Sequence, residues 1–250
     1  MIRALVHPER EGDLIGLDMA DLEAGESFES PGLLDTAVVV LRGVVDVEAG
    51  GVRLGLAGGR SSVFASPGHT IYAPPGTGLR LVATRPAQLA IATAPGSGGG
   101  PQEARIIGPD DQRIGEAGRG NWHREIRTIL GPEHAASRLL LGETINPPGN
   151  WSSYPPHKHD REAPPEEVRL QEVYYYEFDP ACGFGVQIRY DDAGAEAVII
   201  RDGDALRIPS GYHPVVVAPG YSLYYLWIMA GDGRQMIPYF DPAHAWVQEA

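Results

Sequence analysis

The chain has 250 residues, enough for one large all-β domain or two smaller ones with real cores. Its 33 acidic residues outnumber 20 basic ones, for a formal charge of −13, and no Lys/Arg-rich block interrupts that balance. Nucleic acid and anionic membrane surfaces are therefore poor partners, because both demand a basic face. The single cysteine, Cys182, excludes an internal disulfide, and a reducing cytosol is the default compartment. In "PACGFG" it reads as a packing residue rather than a catalytic thiol.

In chain order, "MIRALVHPER" lacks the charged-then-apolar pattern of a signal peptide, and runs such as "AVVVL" and "AVII" are too short to span a bilayer. "DTAVVVLRGVVDVEAG" reads as strand, glycine corner, strand; "HTIYAPPGTGLRLVAT" and "AQLAIATA" read the same way. The 32 glycines and 22 prolines are scattered between these apolar runs, as in a protein of many short strands and turns. Residues 94–120, "APGSGGGPQEARIIGPDDQRIGEAGRG", lack apolar alternation and read as a connector. They divide the chain into an N-terminal domain, residues 1–110, and a C-terminal domain, residues 111–250. Strand patterning resumes in "NWHREIRTIL" and "SRLLLGETINPPGNW". Helical periodicity is hard to find; "DPAHAWVQEA" is the best candidate, and it is short. "GHTIYAPPGTGLRLVA" and "GDALRIPSGYHPVVVA" share one layout, which suggests a weak internal duplication; the first has Thr77 where the second has Tyr212-His213, so only the second copy keeps the histidine there.

The chemistry gathers in "NWSSYPPHKHD". On a strand, His157 and His159 point to one face and both imidazoles can reach one ion. Glu172 opens the next clear strand, "LQEVYYYEF", and is the preferred carboxylate over Glu162, Glu166 and Glu167, since a strand fixes a ligand better than a loop. His213 follows Pro209-Ser210-Gly211 with only Tyr212 between. The expected ligand set is His157, His159, Glu172 and His213 around a divalent cation; such a set suits Zn, Mn, Fe or Ni alike.

The His-x-His, the later Glu and the Gly-x5-Pro-x-Gly-x-His arrangement resemble the cupin motifs, with one departure. Residues 160–171 separate His159 from Glu172, where the commonest cupin spacing is much shorter, and Pro164-Pro165 suggest an inserted loop. "NWSSYPPHKHD", "EVYYYEF", "GFGVQIRY", "RDGDALRIPSGYHPVVVAPGYSLYYLWIMAG" and "DPAHAW" together resemble the 5-deoxy-glucuronate isomerase family of inositol catabolism, a bicupin family related to the 5-keto-4-deoxyuronate isomerases. The resemblance is dense from about Asn121 to Trp246. It implies an all-β bicupin of two jelly-roll barrels and a metal-dependent aldose–ketose isomerisation of 5-deoxy-glucuronate to 5-dehydro-2-deoxy-gluconate.

That reaction asks for a base to move a proton between two carbons. Candidates are Glu172, Lys158 and a tyrosine of "EVYYYEF" or "YSLYYLW", with Tyr175 taken as the tyrosine. If its neighbours sit on a regular strand, Lys158 points away from them, toward an outward or rim position. The far carboxylate of the sugar calls for an arginine fork, for which Arg189 is first choice and Arg207 and Arg201 are weaker; Gln187 shares a face with Arg189 and could reach hydroxyls. His123 reads as a structural histidine. The expected partner is a small sugar acid, with homo-oligomerisation left open. A cupin dioxygenase and a non-catalytic sugar-acid binding protein are the rival readings, because the ligand set serves all three.

Overall fold

The computed structural model describes residues 1–8, 12–97 and 103–249. It is built almost entirely of β-strands and divides into two compact units: Met1–Arg113 with Ile129–Leu140, and Ile114–Thr128 with Leu141–Ala250. Among the described residues, no helix is long and apolar enough to cross a membrane.

In the first unit the valine-rich run forms one strand, Asp35–Ala49, paired antiparallel along its length with Leu79–Ala94. The expected corner at Gly43 is a bulge within this strand, where the register shifts repeatedly between Val40 and Val45. Val38, Val40, Val45 and Val47 meet Leu81, Leu89 and Ile91 in a closed apolar core. A buried polar knot ties in the segment Ile129–Leu140. The Asp35 carboxylate accepts the Tyr72 hydroxyl at 2.7 Å and the Arg138 and Leu139 amides at 2.7 and 2.8 Å, while Tyr72 accepts the Ser137 amide at 2.9 Å.

Part of the expected connector is ordered structure. Arg105–Ile107 adds an antiparallel strand to Thr70–Ala73, Pro109–Asp111 is a 3-10 turn and Arg113–Ala117 is a further strand. These pieces are too short for alternation to be visible, and backbone pairing rather than side-chain pattern recruits them. Residues 98–102 of that stretch lie outside the described residues. The one helical candidate, at the C-terminus, is a 3-10 turn, Ala245–Gln248. Cys182 is exposed in a turn, not packed.

The second unit has a six-stranded sheet with Gln171–Asp179 and Ser222–Ala230 side by side within it, and a four-stranded sheet containing Phe184–Asp191 and Val215–Val217. Polar bonds join the inner faces: the Tyr176 hydroxyl donates to Gln187 at 2.9 Å, and Ser152 Oγ lies 2.6 Å from the Tyr225 hydroxyl. Along Gln171–Asp179, alternation sends Glu172, Tyr174 and Tyr176 to one face and Val173, Tyr175 and Glu177 to the other. Pairing sets Glu172 beside Met229, Tyr174 beside Trp227 and Tyr176 beside Tyr225.

Candidate metal centre

Two segments distant in sequence deliver the three histidines. His157 lies in a two-residue strand, His157–Lys158, paired with Tyr239–Phe240, and His159 follows on the same side. His213 comes after a turn in which Gly211 has φ +86; a Cβ there would stand 2.8 Å from the Tyr190 carbonyl oxygen, so both the backbone and the space call for glycine. One contact joins the two ligand-bearing loops: the Gly211 amide donates to Asp160 at 2.9 Å, across 51 positions of sequence. One ligand nitrogen from each of His157, His159 and His213 lies within 4.8 Å of the others, and among the described residues this is the one such cluster.

Glu172 closes the site. Its Oε2 is 3.0 Å from His159 Nε2 and 3.2 Å from His213 Nε2. The opposite nitrogens settle the tautomers. His159 Nδ1 is 2.8 Å from the Leu170 carbonyl and His213 Nδ1 is 2.9 Å from the Gly211 carbonyl. A carbonyl can only accept, so both Nδ1 atoms carry hydrogen, and in a neutral ring both Nε2 atoms then aim lone pairs at a carboxylate oxygen. That facing of lone pairs is repulsive unless a proton or a cation lies between. His213 Nε2 is buried and lacks a hydrogen bond of acceptable direction even with Glu172 3.2 Å away; we read the proximity as electrostatic, not as a formed hydrogen bond. Two ligands on one ion, each bonded at about 2.0–2.2 Å with an angle of about 90–109° between them, stand about 2.8–3.6 Å apart, which brackets both separations to Glu172. The donor set fits a divalent cation.

Titration behaviour agrees. Burial alone would raise the Glu172 carboxyl, but the two imidazoles facing it pull its pKa well below the usual carboxylate range. Burial opposes protonation of His159, yet its contact with Glu172 raises it above the ordinary value. His157 is held well below, first by burial and then by repulsion from His213 and His159, so its nitrogen stays neutral and able to ligate.

His157 and His159 line a cavity of about 140 Å³, and the His213 ring packs against both of them. Glu172, Tyr174, Ser153 and Arg124 line one part of it, and Trp227, Met229, Ile237 and Pro238 give it an apolar wall. A family model described as the KduI/IolB family matches residues 2–247. The chain belongs to the KduI/IolB family. A KduI/IolB relative from Geobacillus thermodenitrificans, named 5-deoxy-glucuronate isomerase, is 37% identical over 250 residues, covering 98% of this chain and 90% of that protein. The protein of the same name from Bacillus subtilis (strain 168) is 35% identical, covering 92% and 86%. The crystal structure of an IolB-like protein from Salmonella typhimurium LT2 superposes with a TM-score of 0.92 at 33% identity, covering 97% of this chain and 94% of that one. Bacillus subtilis oxalate decarboxylase shares the fold, with a TM-score of 0.64 at 12% identity.

Within this KduI/IolB chain the four expected metal ligands converge, whereas the expected substrate and proton-transfer residues mostly do not reach the cavity. Lys158 is turned off the histidine face but is buried rather than at a rim. Its Nζ pairs with Asp160 and with both oxygens of Glu167, at 3.1 and 3.2 Å. Glu167 also accepts the Asp160 and Arg161 amides, at 2.7 and 3.0 Å, so the inserted loop braces the ligand strand and does not compete for the ion. Glu162 accepts the Arg169 amide and Glu166 is exposed. Tyr175 occupies the face opposite Glu172 and its hydroxyl donates to Glu177. The same two-residue alternation points to Tyr174, which does line the cavity with its hydroxyl 2.9 Å from Ser153 Oγ.

Arg189 is half-exposed and bonded to Glu196 at 2.7 Å, away from the cavity. Arg207 sits opposite Val173 in the neighbouring strand and is likewise not a lining residue. Gln187 is buried behind the site, where its amide donates to the His213 carbonyl at 2.8 Å and steadies that ligand's backbone. His123 pairs with Glu116 at 2.9 Å on the surface. Its neighbour Arg124, one residue on, is the arginine of the cavity, and no local pattern in "NWHREIR" distinguishes it from Arg127.

Proposed function

We propose that this chain is a metal-dependent aldose–ketose isomerase that converts 5-deoxy-glucuronate to 5-dehydro-2-deoxy-gluconate, with His157, His159, His213 and Glu172 holding the cation. The observation that carries the reading is the convergence of three imidazoles and one carboxylate, with His159 Nε2 and His213 Nε2 both facing Glu172, beside a cavity of about 140 Å³. The full-length likeness to relatives named for this activity supports the same substrate.

A divalent cation on these ligands would draw electrons from the carbonyl and adjacent hydroxyl oxygens of the open-chain sugar, acidify the intervening C–H and stabilise the enediolate. The chain's own groups do the rest. Glu172 is the one carboxylate lining the cavity and carries the proton from one carbon to the next; with its pKa depressed it is a weak base, which suffices only for an acidified C–H. Tyr174, whose pKa burial pushes well above its ordinary value, keeps its hydroxyl proton and offers it, oriented by Ser153, to the sugar oxygen that gains charge. The apolar wall excludes water from this exchange.

The test is anaerobic turnover by protein stripped of metal and reloaded separately with Zn, Mn, Fe or Ni. Interconversion of aldehyde and ketone at about one ion per chain, lost in His213→Ala, is expected. Failure of every reloaded form to turn over the sugar acid, or a requirement for O₂, removes the proposal.

A further inference from the structure

Resting on that reading of the substrate, we infer that Arg124 is the receptor for its far carboxylate. The sugar acid bears this group at the end of its chain remote from the reacting carbonyl. Its receptor must therefore share the cavity of the metal ligands without being neutralised by them. Arg124 meets both conditions. It is the one arginine or lysine among the lining residues, and no carboxylate pairs with it among the described residues.

The guanidinium is held from behind. Nη1 donates to the Trp122 carbonyl at 3.1 Å, and the group lies 5.9 Å from the centre of the Trp122 ring, which itself packs edge-on against Tyr154. Gly118 makes this seat: a Cβ there would collide with the Trp122 carbonyl and stand 2.9 Å from Nη1. With Nη1 occupied, the Nε–Nη2 edge remains. Nε is buried and has no partner, and Nη2 makes no hydrogen bond to the described residues. That edge carries the two parallel N–H groups which a carboxylate grips bidentately. Leaving a buried N–H unpaired is costly, so the site is built for an acceptor that arrives with the ligand. Burial also lowers the guanidinium pKa, opposed only by the nearby Tyr225 and Tyr174, which marks a cation without its counter-ion.

The test separates this residue from the reaction. Binding of 5-deoxy-glucuronate reduced at its aldehyde, which cannot isomerise, is compared with binding of the carboxamide of the same compound, by calorimetry on metal-loaded protein. The wild type is expected to prefer the acid by about 100-fold, the scale of one strong charge-assisted hydrogen bond, since the carboxamide keeps one acceptor oxygen. Arg124→Ala should reduce that preference to within about threefold with metal content unchanged, and guanidinium ion should restore part of it. Arg124→Lys, which keeps charge and stem but not the fork, should fall between and serves if the alanine variant fails to fold. A wild type indifferent to acid or amide, or variants that keep the wild-type ratio, overturns the assignment. Wild-type turnover of the aldehyde is scored separately: its absence counts against the isomerase reading, while the acid-to-amide ratio alone decides the role of Arg124.

Discussion

Replacing Glu167 by alanine tests whether the insertion after the His-x-His pair is a brace for the metal centre. The side chain is 3% exposed and holds three partners at once. It neutralises Lys158 Nζ, and its Oε1 accepts the backbone amides of Asp160 and Arg161. Removing one partner of a buried ion pair costs about 3–5 kcal/mol because the other charge is left behind. Here Lys158 retains Asp160, whose side chain is 19% exposed and can recruit water, so the lower end applies, about 3 kcal/mol. For a chain of this size that is a fall in melting temperature of about 6–12 °C. Because Lys158 lies between two ligands, and Asp160 holds Gly211 two residues before the third, metal affinity should fall about 10–100-fold as well. Calorimetric melting and competition with a chromophoric chelator read the two effects. Glu167→Gln, which keeps an acceptor but loses the charge, should lie between. A loss below about 0.5 kcal/mol, the scale of a solvent-exposed pair, with metal affinity unchanged, would refute the bracing argument.

Tyr72→Phe should cost about 1–3 kcal/mol in urea unfolding, since it strips the Ser137 amide and one Asp35 oxygen of a buried partner. Gly142→Ala drives a methyl into the Trp227 ring and the Arg127 carbonyl; a destabilisation of about 1–3 kcal/mol and a raised KM are expected, because Trp227 walls the cavity. Arg189→Ala, by contrast, should leave KM for the sugar acid within about twofold of wild type, its partner being Glu196 on the surface. The metal-free chain should show a pH-dependent melting temperature that the metal-loaded chain lacks. His159 has a raised folded pKa, so its stabilisation is full below its ordinary 6.5 and is lost as pH rises through the folded value. Glu172 has a depressed one, so its share is present above its ordinary 4.5 and is lost only in strong acid. Metal-free protein therefore loses stability as pH rises from 6.5 through the folded His159 value, a loss that His159→Gln should abolish; a metal-free melting curve flat across that rise would count against the paired state.

The residues that converge at the candidate centre, their order and the all-β class were legible in the sequence because each rests on local rules. Two-residue alternation places His157 and His159 together, Pro-x-Gly turns the chain ahead of His213, and a strand start fixes Glu172. The same alternation points to Tyr174 rather than Tyr175, so that residue too was within reach of the sequence. Tertiary structure alone decided the charged residues. Arg124 and Arg189 both lie on strands; hairpin pairing sets Glu196 directly across from Arg189, whereas the return of distant segments places Arg124 in the cavity lining with its Nε unpaired among the described residues. Lys158 is buried because an insertion folds back to bring Glu167 to it, closed by the bridge between Ala163 and Glu167. Periodicity says which residues share a face; what that face meets is set by chain that returns from far away, and a buried charge takes its role from whichever partner arrives.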